Sequence, residues 1–226
     1  MSETNHTRRL HSKACCKICG LTRAEDVALC NTLGVDFTGF IFVPSSPRAV
    51  SPAFVGSLPP SPAKRVGVFA GASIEAMVAC KQEANLEYLQ LHGGESPELC
   101  AQLCACVGSA HIIKVLWPEN CTQQKLHEEM ERFAPMCAYF LLDAGKNGGG
   151  SGSSLPFANL MDFHPPKPWF LAGGLGLHNL EQAITVCAPE GVDLNSALET
   201  APGIKNPEYI IKAISILTSC NTERTL

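Results

Sequence analysis

The sequence has no excess of positive charge and no long apolar run. Its formal net charge is −4 over 226 residues, so it lacks the basic footprint that binding to nucleic acid or an anionic lipid surface requires. No apolar stretch reaches the roughly 20 residues of a membrane span, and the polar residues 1–12 lack the apolar core of a secretory signal. We therefore expect no nucleic-acid or membrane partner and a cytoplasmic location. We expect a disordered tail over residues 1–13, one domain over residues 14–220 and a short C-terminal tail over residues 221–226.

A metal-site signature is also missing, although the chain has twelve cysteines. The pair Cys16 and Cys19 has the spacing of a ligand motif, but no second pair follows at zinc-site spacing. The group Cys100, Cys104 and Cys106 likewise has no partner motif. Most of the cysteines occupy apolar positions of helical patterns, where they act as small core residues in a reducing compartment. We expect no metal.

The order of the hydrophobic patterns predicts an α/β fold. Short β-rich runs alternate with amphipathic helical stretches, which is typical of a parallel sheet covered by helices. Hydrophobic residues make up 46% of the chain, enough for a sizeable core. Eight strands are predicted: Ala14–Cys19, Asp36–Phe42, Arg65–Phe69, Leu86–Leu91, His111–Leu116, Cys137–Leu142, Trp169–Ala172 and Gly191–Leu194. This count predicts a single (β/α)8 TIM barrel. The alternative, an open doubly wound sheet, would need a glycine fingerprint after the first strand, which is absent.

Local signals predict where some helices begin. Thr22-Arg23-Ala24-Glu25 has the pattern of a capping box at the start of the first helix. The helix after the seventh strand is predicted over Leu177 to Cys187, and a short extra helix near Leu198 to Thr200.

Polar and glycine residues follow several of the predicted strands. Active sites of (β/α)8 barrels lie at the C-terminal ends of the strands. Neither a Ser-His-Asp order nor a HExxH metal motif is present. The residues expected at that end of the barrel are Cys19, Gln90, His92, Asp143, Gly173, Gly174, Asn195, Ser196 and Ala197.

Gly173, Gly174 and the run Asn195-Ser196-Ala197 are expected to form a phosphate cup. Glycines before a helix start let backbone N–H groups approach an anion. Phosphate sites of this fold lie after strands seven and eight, the position these residues have here. The alternative is that the glycines only form tight turns.

Several motifs together resemble one family. They are Lys17-Ile18-Cys19-Gly20-Leu21-Thr22, Gly39-Phe40-Ile41-Phe42, Ser46-Pro47-Arg48, Val66-Gly67-Val68-Phe69, Gln90-Leu91-His92-Gly93, Leu142-Asp143, Gly149-Gly150-Ser151-Gly152, Leu171-Ala172-Gly173-Gly174-Leu175 and Pro202-Gly203-Ile204-Lys205. In this order they resemble the phosphoribosylanthranilate isomerases, from Lys17 to about Ile214.

The resemblance implies a cofactor-free Amadori rearrangement in tryptophan biosynthesis, by a monomer or homodimer. N-(5-phosphoribosyl)anthranilate would become 1-(2-carboxyphenylamino)-1-deoxyribulose 5-phosphate. Cys19 matches the family's general base, Asp143 its general acid and Arg48 the arginine that holds the anthranilate carboxylate. The other residues that the resemblance places at the substrate are Gln90, His92, Gly150, Gly152, Gly173, Gly174, Asn195, Ser196 and Ala197.

The sequence departs from the family pattern at two places. Asn195-Ser196-Ala197 stands where the family has Ser-Ser-Gly, and Leu155-Pro156-Phe157-Ala158 lacks the usual Phe-Asp-Trp. The added glycines Gly148–Gly150 suggest a more mobile lid over the substrate.

The proposed chemistry sets a physical condition for each group. Asp143 must carry a proton near neutral pH, which desolvation or a nearby anion favours, and Cys19 must reach the thiolate. Lys17 lies two residues before Cys19, on the same face of the strand, and can favour that thiolate. The alternatives are a histidine-pathway isomerase, which uses two aspartates, an indole-glycerol phosphate synthase type of lyase, which needs a lysine and a glutamate, and a barrel that only binds a phosphorylated sugar.

Overall fold

A computed structural model describes residues 13–118, 122–143 and 157–224. Eight parallel strands form a closed barrel in which each strand pairs with its neighbour along the chain and β1 pairs with β8. The strands are β1 (Cys15–Ile18), β2 (Phe37–Ile41), β3 (Lys64–Phe69), β4 (Tyr88–Leu91), β5 (Ile112–Leu116), β6 (Tyr139–Asp143), β7 (Trp169–Ala172) and β8 (Gly191–Leu194). The predicted (β/α)8 fold is confirmed. Within the described residues, no helix is both long and apolar enough to cross a membrane.

The helices lie around the barrel, and polar side chains cap several of them. They are α1 (Ala24–Thr32), α2 (Pro52–Ser57), α3 (Ile74–Glu83), α4 (Pro97–Val107), α5 (Gln123–Phe133), α6 (Leu180–Cys187) and α7 (Pro207–Arg224). The hydroxyl groups of Ser51, Ser73, Ser96 and Thr122 each accept a hydrogen bond from the backbone N–H three residues later. Each hydroxyl thus satisfies an N–H that has no partner inside its helix.

Two apolar layers follow from the alternation of side chains along the strands. One layer fills the barrel interior and contains Phe37, Val66, Ile113, Val115, Leu141, Phe170 and Ala172. The other lies between the outer face of the strands and the helices. Because successive side chains point to opposite faces, a strand can contribute to both layers: β5 directs Ile113 and Val115 into the barrel, and Ile112 and Leu116 toward the helices. The polar residues at the strand ends then face the open end of the barrel above the inner layer.

The predicted capping box at Thr22 is not formed. The residue that precedes α1 is Arg23, which makes no side-chain cap. Thr22 instead donates its hydroxyl hydrogen bond to the carbonyl of Gly203, at 2.5 Å. A contact 181 residues away along the chain therefore replaces the local one.

The segment after β8 also differs from the prediction. In place of a helix near Leu198 to Thr200, a 3-10 turn spans Ser196–Leu198, and a hairpin follows with β9 (Glu199–Ala201) and β10 (Ile204–Lys205). The predicted helix from Leu177 begins only at Leu180. After β6, the described residues contain a 3-10 turn at Phe157–Leu160.

The last helix, α7, runs to Arg224 and so passes the boundary expected at residue 220. Its Asn221 side chain lies in the interior, where the amide oxygen accepts from the Ala14 N–H and the amide nitrogen donates to the Ala14 carbonyl. The last part of α7 is therefore held to the residue that precedes β1.

Candidate active site

A cavity of about 550 Å³ opens at the C-terminal ends of the strands. Nine of the residues predicted for the site line it: Cys19, Arg48, Gln90, His92, Asp143, Gly173, Gly174, Asn195 and Ser196. Ala197 is not among the lining residues; it is exposed and its methyl carbon lies against Gly176. Gly150 and Gly152 lie outside the described residues. The structure therefore brings together groups that are up to 177 positions apart in the sequence, from Cys19 to Ser196.

Cys19 is the thiol of this cavity. It is only 4% exposed, and its backbone N–H donates to the carbonyl of Leu194 on the neighbouring strand. A Cβ atom at Gly39 would lie 2.7 Å from the Cys19 sulfur, so glycine at position 39 makes room for the thiol. Burial raises the pKa of Cys19, and the Lys17 ammonium opposes part of that shift.

An ion pair lies beside this thiol. Lys17 is fully buried, and its ammonium donates to Asp193 Oδ2 at 2.8 Å. Burial lowers the pKa of Lys17, but the contacts with Asp193 and Cys19 outweigh it, so that the pKa is raised. The lysine is thus a fixed positive charge next to Cys19. The second oxygen of Asp193 is buried and has no hydrogen-bond partner within the described residues.

Asp143 ends β6 and meets His92 across the cavity. His92 Nε2 lies 3.3 Å from Asp143 Oδ2, and the Gln90 amide nitrogen lies 3.1 Å from His92 Nδ1. The other Asp143 oxygen is buried and is without a partner in the part of the chain that the structure describes. Since Asp143 lines the cavity, this carboxyl group can meet a bound molecule.

Arg48 is held by Glu199, the first residue of β9. Its Nε and Nη2 atoms donate to the two carboxylate oxygens, at 2.9 Å and 2.6 Å. Lys205 donates to the same carboxylate at 2.9 Å. Burial alone would raise the pKa of Glu199, but the hydrogen bonds from Arg48 and Lys205 lower it. The carboxylate is therefore ionised and fixes the guanidinium at the cavity wall.

The loop after β7 begins with two glycines in the left-handed backbone region. Gly173 and Gly174 have φ angles of +87° and +65°, which residues with a side chain rarely adopt. The Asn179 side chain braces this loop: it accepts from the Gly176 N–H at 2.8 Å and donates to the Gly174 carbonyl at 3.1 Å. Ser196 lies opposite, at the start of the 3-10 turn.

The sequence placed Asp193 at the end of the eighth strand without indicating a role for it, and it did not indicate Glu199 as a site residue. Asp193 stands in the strand pattern directly before the Asn195 run, and Glu199 was covered by a helix prediction. Lys17 was a signal in the sequence that could have indicated Asp193, because a lysine inside a barrel strand requires a buried anion. The apolar part of the cavity was also not predicted; it includes Ile41, Val43, Val68, Ala70 and Leu175.

The closed parallel barrel and the polar cavity at its C-terminal end define a (β/α)8-barrel enzyme. Residues 16–215 match the family model described as N-(5'-phosphoribosyl)anthranilate (PRA) isomerase. The chain therefore belongs to the phosphoribosylanthranilate isomerase family.

Individual relatives agree with this assignment. The N-(5'-phosphoribosyl)anthranilate isomerase of Maridesulfovibrio salexigens is 44% identical over 202 residues, which are 89% of this chain and 97% of that protein. The enzyme of the same name from Desulfovibrio desulfuricans is 42% identical over 93% of this chain and 98% of its own. Among solved structures, the phosphoribosyl anthranilate isomerase of Thermus thermophilus has a TM-score of 0.77 at 32% identity and covers 91% of this chain and 98% of its own.

A further solved structure was determined with a ligand. It is a phosphoribosyl anthranilate isomerase in complex with reduced 1-(o-carboxyphenylamino)-1-deoxyribulose 5-phosphate, with a TM-score of 0.75 at 28% identity. It covers 91% of this chain and 99% of its own.

Proposed function

We propose that this enzyme isomerises N-(5-phosphoribosyl)anthranilate to 1-(2-carboxyphenylamino)-1-deoxyribulose 5-phosphate in tryptophan biosynthesis, with Cys19 as general base and Asp143 as general acid. The observation that carries the proposal is that a thiol and a carboxyl group line one cavity together with a glycine-lined cup. The complex of the related isomerase with a reduced form of this product supports the same substrate class.

In the first step Asp143 donates a proton to the furanose ring oxygen. The ring C–O bond breaks, and the nitrogen lone pair forms an iminium at C1. The second Asp143 oxygen supports this role, because a buried oxygen without a partner among the described residues is available to the substrate. The aspartate leaves this step as a carboxylate.

In the second step the Cys19 thiolate removes the proton from C2. The electrons neutralise the iminium nitrogen and leave an enolamine, which becomes the ketone when C1 gains a proton and the C2 hydroxyl loses one. Burial works against the thiolate, and the Lys17 ammonium favours it. The Lys17–Asp193 pair is thus proposed to retain a positive charge beside Cys19 throughout the cycle.

The two charged ends of the substrate are proposed to bind different groups of the protein. The phosphate is proposed to bind the backbone around Gly173, Gly174 and Ser196, where the positive φ angles of the glycines support close approach. Arg48 is proposed to hold the anthranilate carboxylate, since a planar guanidinium suits a carboxylate. Gly150 and Gly152 are proposed as further contacts, on the strength of the family resemblance.

We also propose a reducing, cytoplasmic setting and a monomer or homodimer. None of the eleven cysteines among the described residues is placed in a disulfide, which supports the reducing setting.

The experiment is turnover of fluorescent N-(5-phosphoribosyl)anthranilate by the purified protein under reducing conditions. The wild type should abolish the signal, and Cys19→Ser should lower kcat by at least roughly 10²-fold. Cys16→Ser is the matched control, because Cys16 lies on β1, three residues before Cys19, with the same 4% exposure but in the outer apolar layer. A wild type without turnover would indicate a barrel that only binds its sugar phosphate. A Cys19→Ser variant as fast as the Cys16→Ser variant would refute the base assignment.

A further inference from the structure

We propose that Lys205 is a positioning residue that turns the side-chain amide of Asn195, so that the amide nitrogen faces the cavity and donates to the phosphate of the substrate. This inference rests on the proposed function and deepens its phosphate site. Lys205 lies on β10, opposite Glu199 on β9, and is only 1% exposed. Because Lys205 is not among the residues that line the cavity, it acts on a bound molecule through its neighbours.

Three acceptors surround the side-chain nitrogen of Lys205. They are the Asn195 backbone carbonyl at 3.0 Å, Asn195 Oδ1 at 3.0 Å and Glu199 Oε1 at 2.9 Å. Burial lowers the pKa of Lys205, and the hydrogen bond and charge of Glu199 oppose part of that shift. Three acceptors require three hydrogens, which the ammonium form supplies. Two of these hydrogens are thus directed at Asn195, and none is left for a ligand.

The contact with Lys205 determines which end of the Asn195 amide is which. An ammonium group can only donate, so the amide atom that meets it must be the oxygen. A reversed amide would place its NH2 group against the ammonium, with two donors facing each other. The oxygen also lies close to the backbone of Gly20, 2.5 Å from the position that a Cβ atom would have there. The nitrogen is therefore the end of the amide that Lys205 leaves free.

The amide nitrogen of Asn195 is available to a ligand. Asn195 is half-buried and lines the cavity, and its Nδ2 atom makes no hydrogen bond to any described residue. The neighbouring Ser196 and the two glycines Gly173 and Gly174 of the proposed phosphate cup line the same cavity. An N–H donor at this place suits an ionised phosphate oxygen. Asparagine also separates two roles, because its oxygen accepts from Lys205 while its nitrogen donates to the ligand.

The test is binding of D-ribose 5-phosphate, which carries the phosphate without the anthranilate ring, followed by ³¹P NMR titration. Lys205→Met removes the ammonium and retains a long side chain, so the amide is no longer held. We expect the dissociation constant to rise by roughly 3- to 10-fold. Asn195→Ala removes the donor itself and should weaken binding by a similar factor.

The double variant separates positioning from a loss of charge. Once Asn195→Ala has removed the amide, Lys205 has no donor to position. Adding Lys205→Met should then change the dissociation constant by less than about twofold. A long-range effect of the missing charge, or a general loosening of the fold, would instead weaken binding by the same factor with and without the amide.

Lys114→Met is the matched control. Lys114 is also buried, with 2% exposure, and donates to the carbonyl of Gly93 and the carboxylate of Glu95. None of these three residues lines the cavity. Lys114→Met should lower the melting temperature, as the loss of a buried ion pair does, and leave the dissociation constant of ribose 5-phosphate within about twofold of the wild type.

Three outcomes would overturn the inference: Lys205→Met with wild-type affinity, the same loss from Lys205→Met with and without the amide, or Asn195→Ala with wild-type affinity. Circular dichroism verifies folding, and Asn195→Ala still tests the donor if Lys205→Met does not fold. A wild type that does not bind ribose 5-phosphate would contradict both this inference and the proposed function. A wild type that binds it as described but lacks turnover would contradict the proposed function alone.

Discussion

Replacing Glu199 with glutamine should weaken substrate binding through Arg48. The carboxylate accepts from Arg48 Nε and Nη2 and from the Lys205 ammonium, and its side chain is only 4% exposed. Two atoms of the guanidinium fork are thus committed to Glu199. The remaining nitrogen, Nη1, has no hydrogen bond to any described residue and is proposed to meet the anthranilate carboxylate.

The size of the effect follows from these contacts. A hydrogen bond to a charged group contributes about 1.5–3 kcal/mol, and Glu199→Gln replaces a charged double acceptor with one neutral oxygen. The Arg48 side chain is 17% exposed, so water recovers part of the loss. We expect about 1–2 kcal/mol less binding energy, which raises KM by roughly 5- to 30-fold. The kcat should change less, because the acid and the base are untouched.

The assay is steady-state turnover of N-(5-phosphoribosyl)anthranilate, with Asp26→Asn as matched control. Asp26 also accepts two hydrogen bonds from an arginine, Arg23, at 2.9 Å and 2.7 Å, but neither residue lines the cavity. Asp26→Asn should lower the melting temperature and leave KM unchanged. A Glu199→Gln variant with the KM of the control would refute the reasoning.

Three further predictions follow from the described geometry. Because burial raises the pKa of Cys19, the thiolate is scarce at neutral pH, and alkylation of Cys19 in the ligand-free enzyme, measured against Cys19→Ser, should become faster from about pH 7 to about pH 9; a rate that does not change with pH would contradict this. Gly20→Ala should lower both the melting temperature and kcat/KM, because its Cβ would lie 2.5 Å from Asn195 Oδ1 at a φ of +70°; Gly34→Ala, with a φ of +71° and no atom within 4 Å, should affect the melting temperature alone. Burial raises the pKa of Cys30 from 9.0 to about 12, so the folded state keeps a proton that the unfolded state loses above the lower value, and stability falls as pH rises. At about pH 10 this costs on the order of 1 kcal/mol, which Cys30→Ala should remove in urea titrations that compare the two proteins near pH 8 and pH 10.

The positions of the strands could be predicted from the sequence because each strand has its own apolar run. Cys19 and Asp143 could be placed at the cavity for the same reason, since the strand order puts all C-terminal ends on one side. The bounds of all eight strands differ from the prediction by no more than two residues at either end; β4, for example, begins at Tyr88 where Leu86 was expected.

Polar contacts between residues far apart in the sequence could not be predicted in this way. The residues from Thr22 to Glu25 match the sequence pattern of a capping box, but the Thr22 hydroxyl donates to the Gly203 carbonyl and does not cap the helix. Arg48 and Glu199 are 151 positions apart, and no periodicity joins them. The hairpin that carries Glu199 depends on contacts with residues elsewhere in the chain more than on the strand preference of its own residues. The local sequence therefore predicted a helix at Glu199.

The central claim assigns two proton transfers to two different side chains, and one isotope measurement separates them. N-(5-phosphoribosyl)anthranilate carrying deuterium at C2 is turned over by Cys19→Ser and by Asp143→Asn. Loss of the base makes removal of the C2 proton the slowest step, so Cys19→Ser should show a full primary isotope effect on kcat. Loss of the acid makes ring opening the slowest step, so Asp143→Asn should show an effect near unity. Equal effects in the two variants, or the larger one in Asp143→Asn, would contradict the assignment.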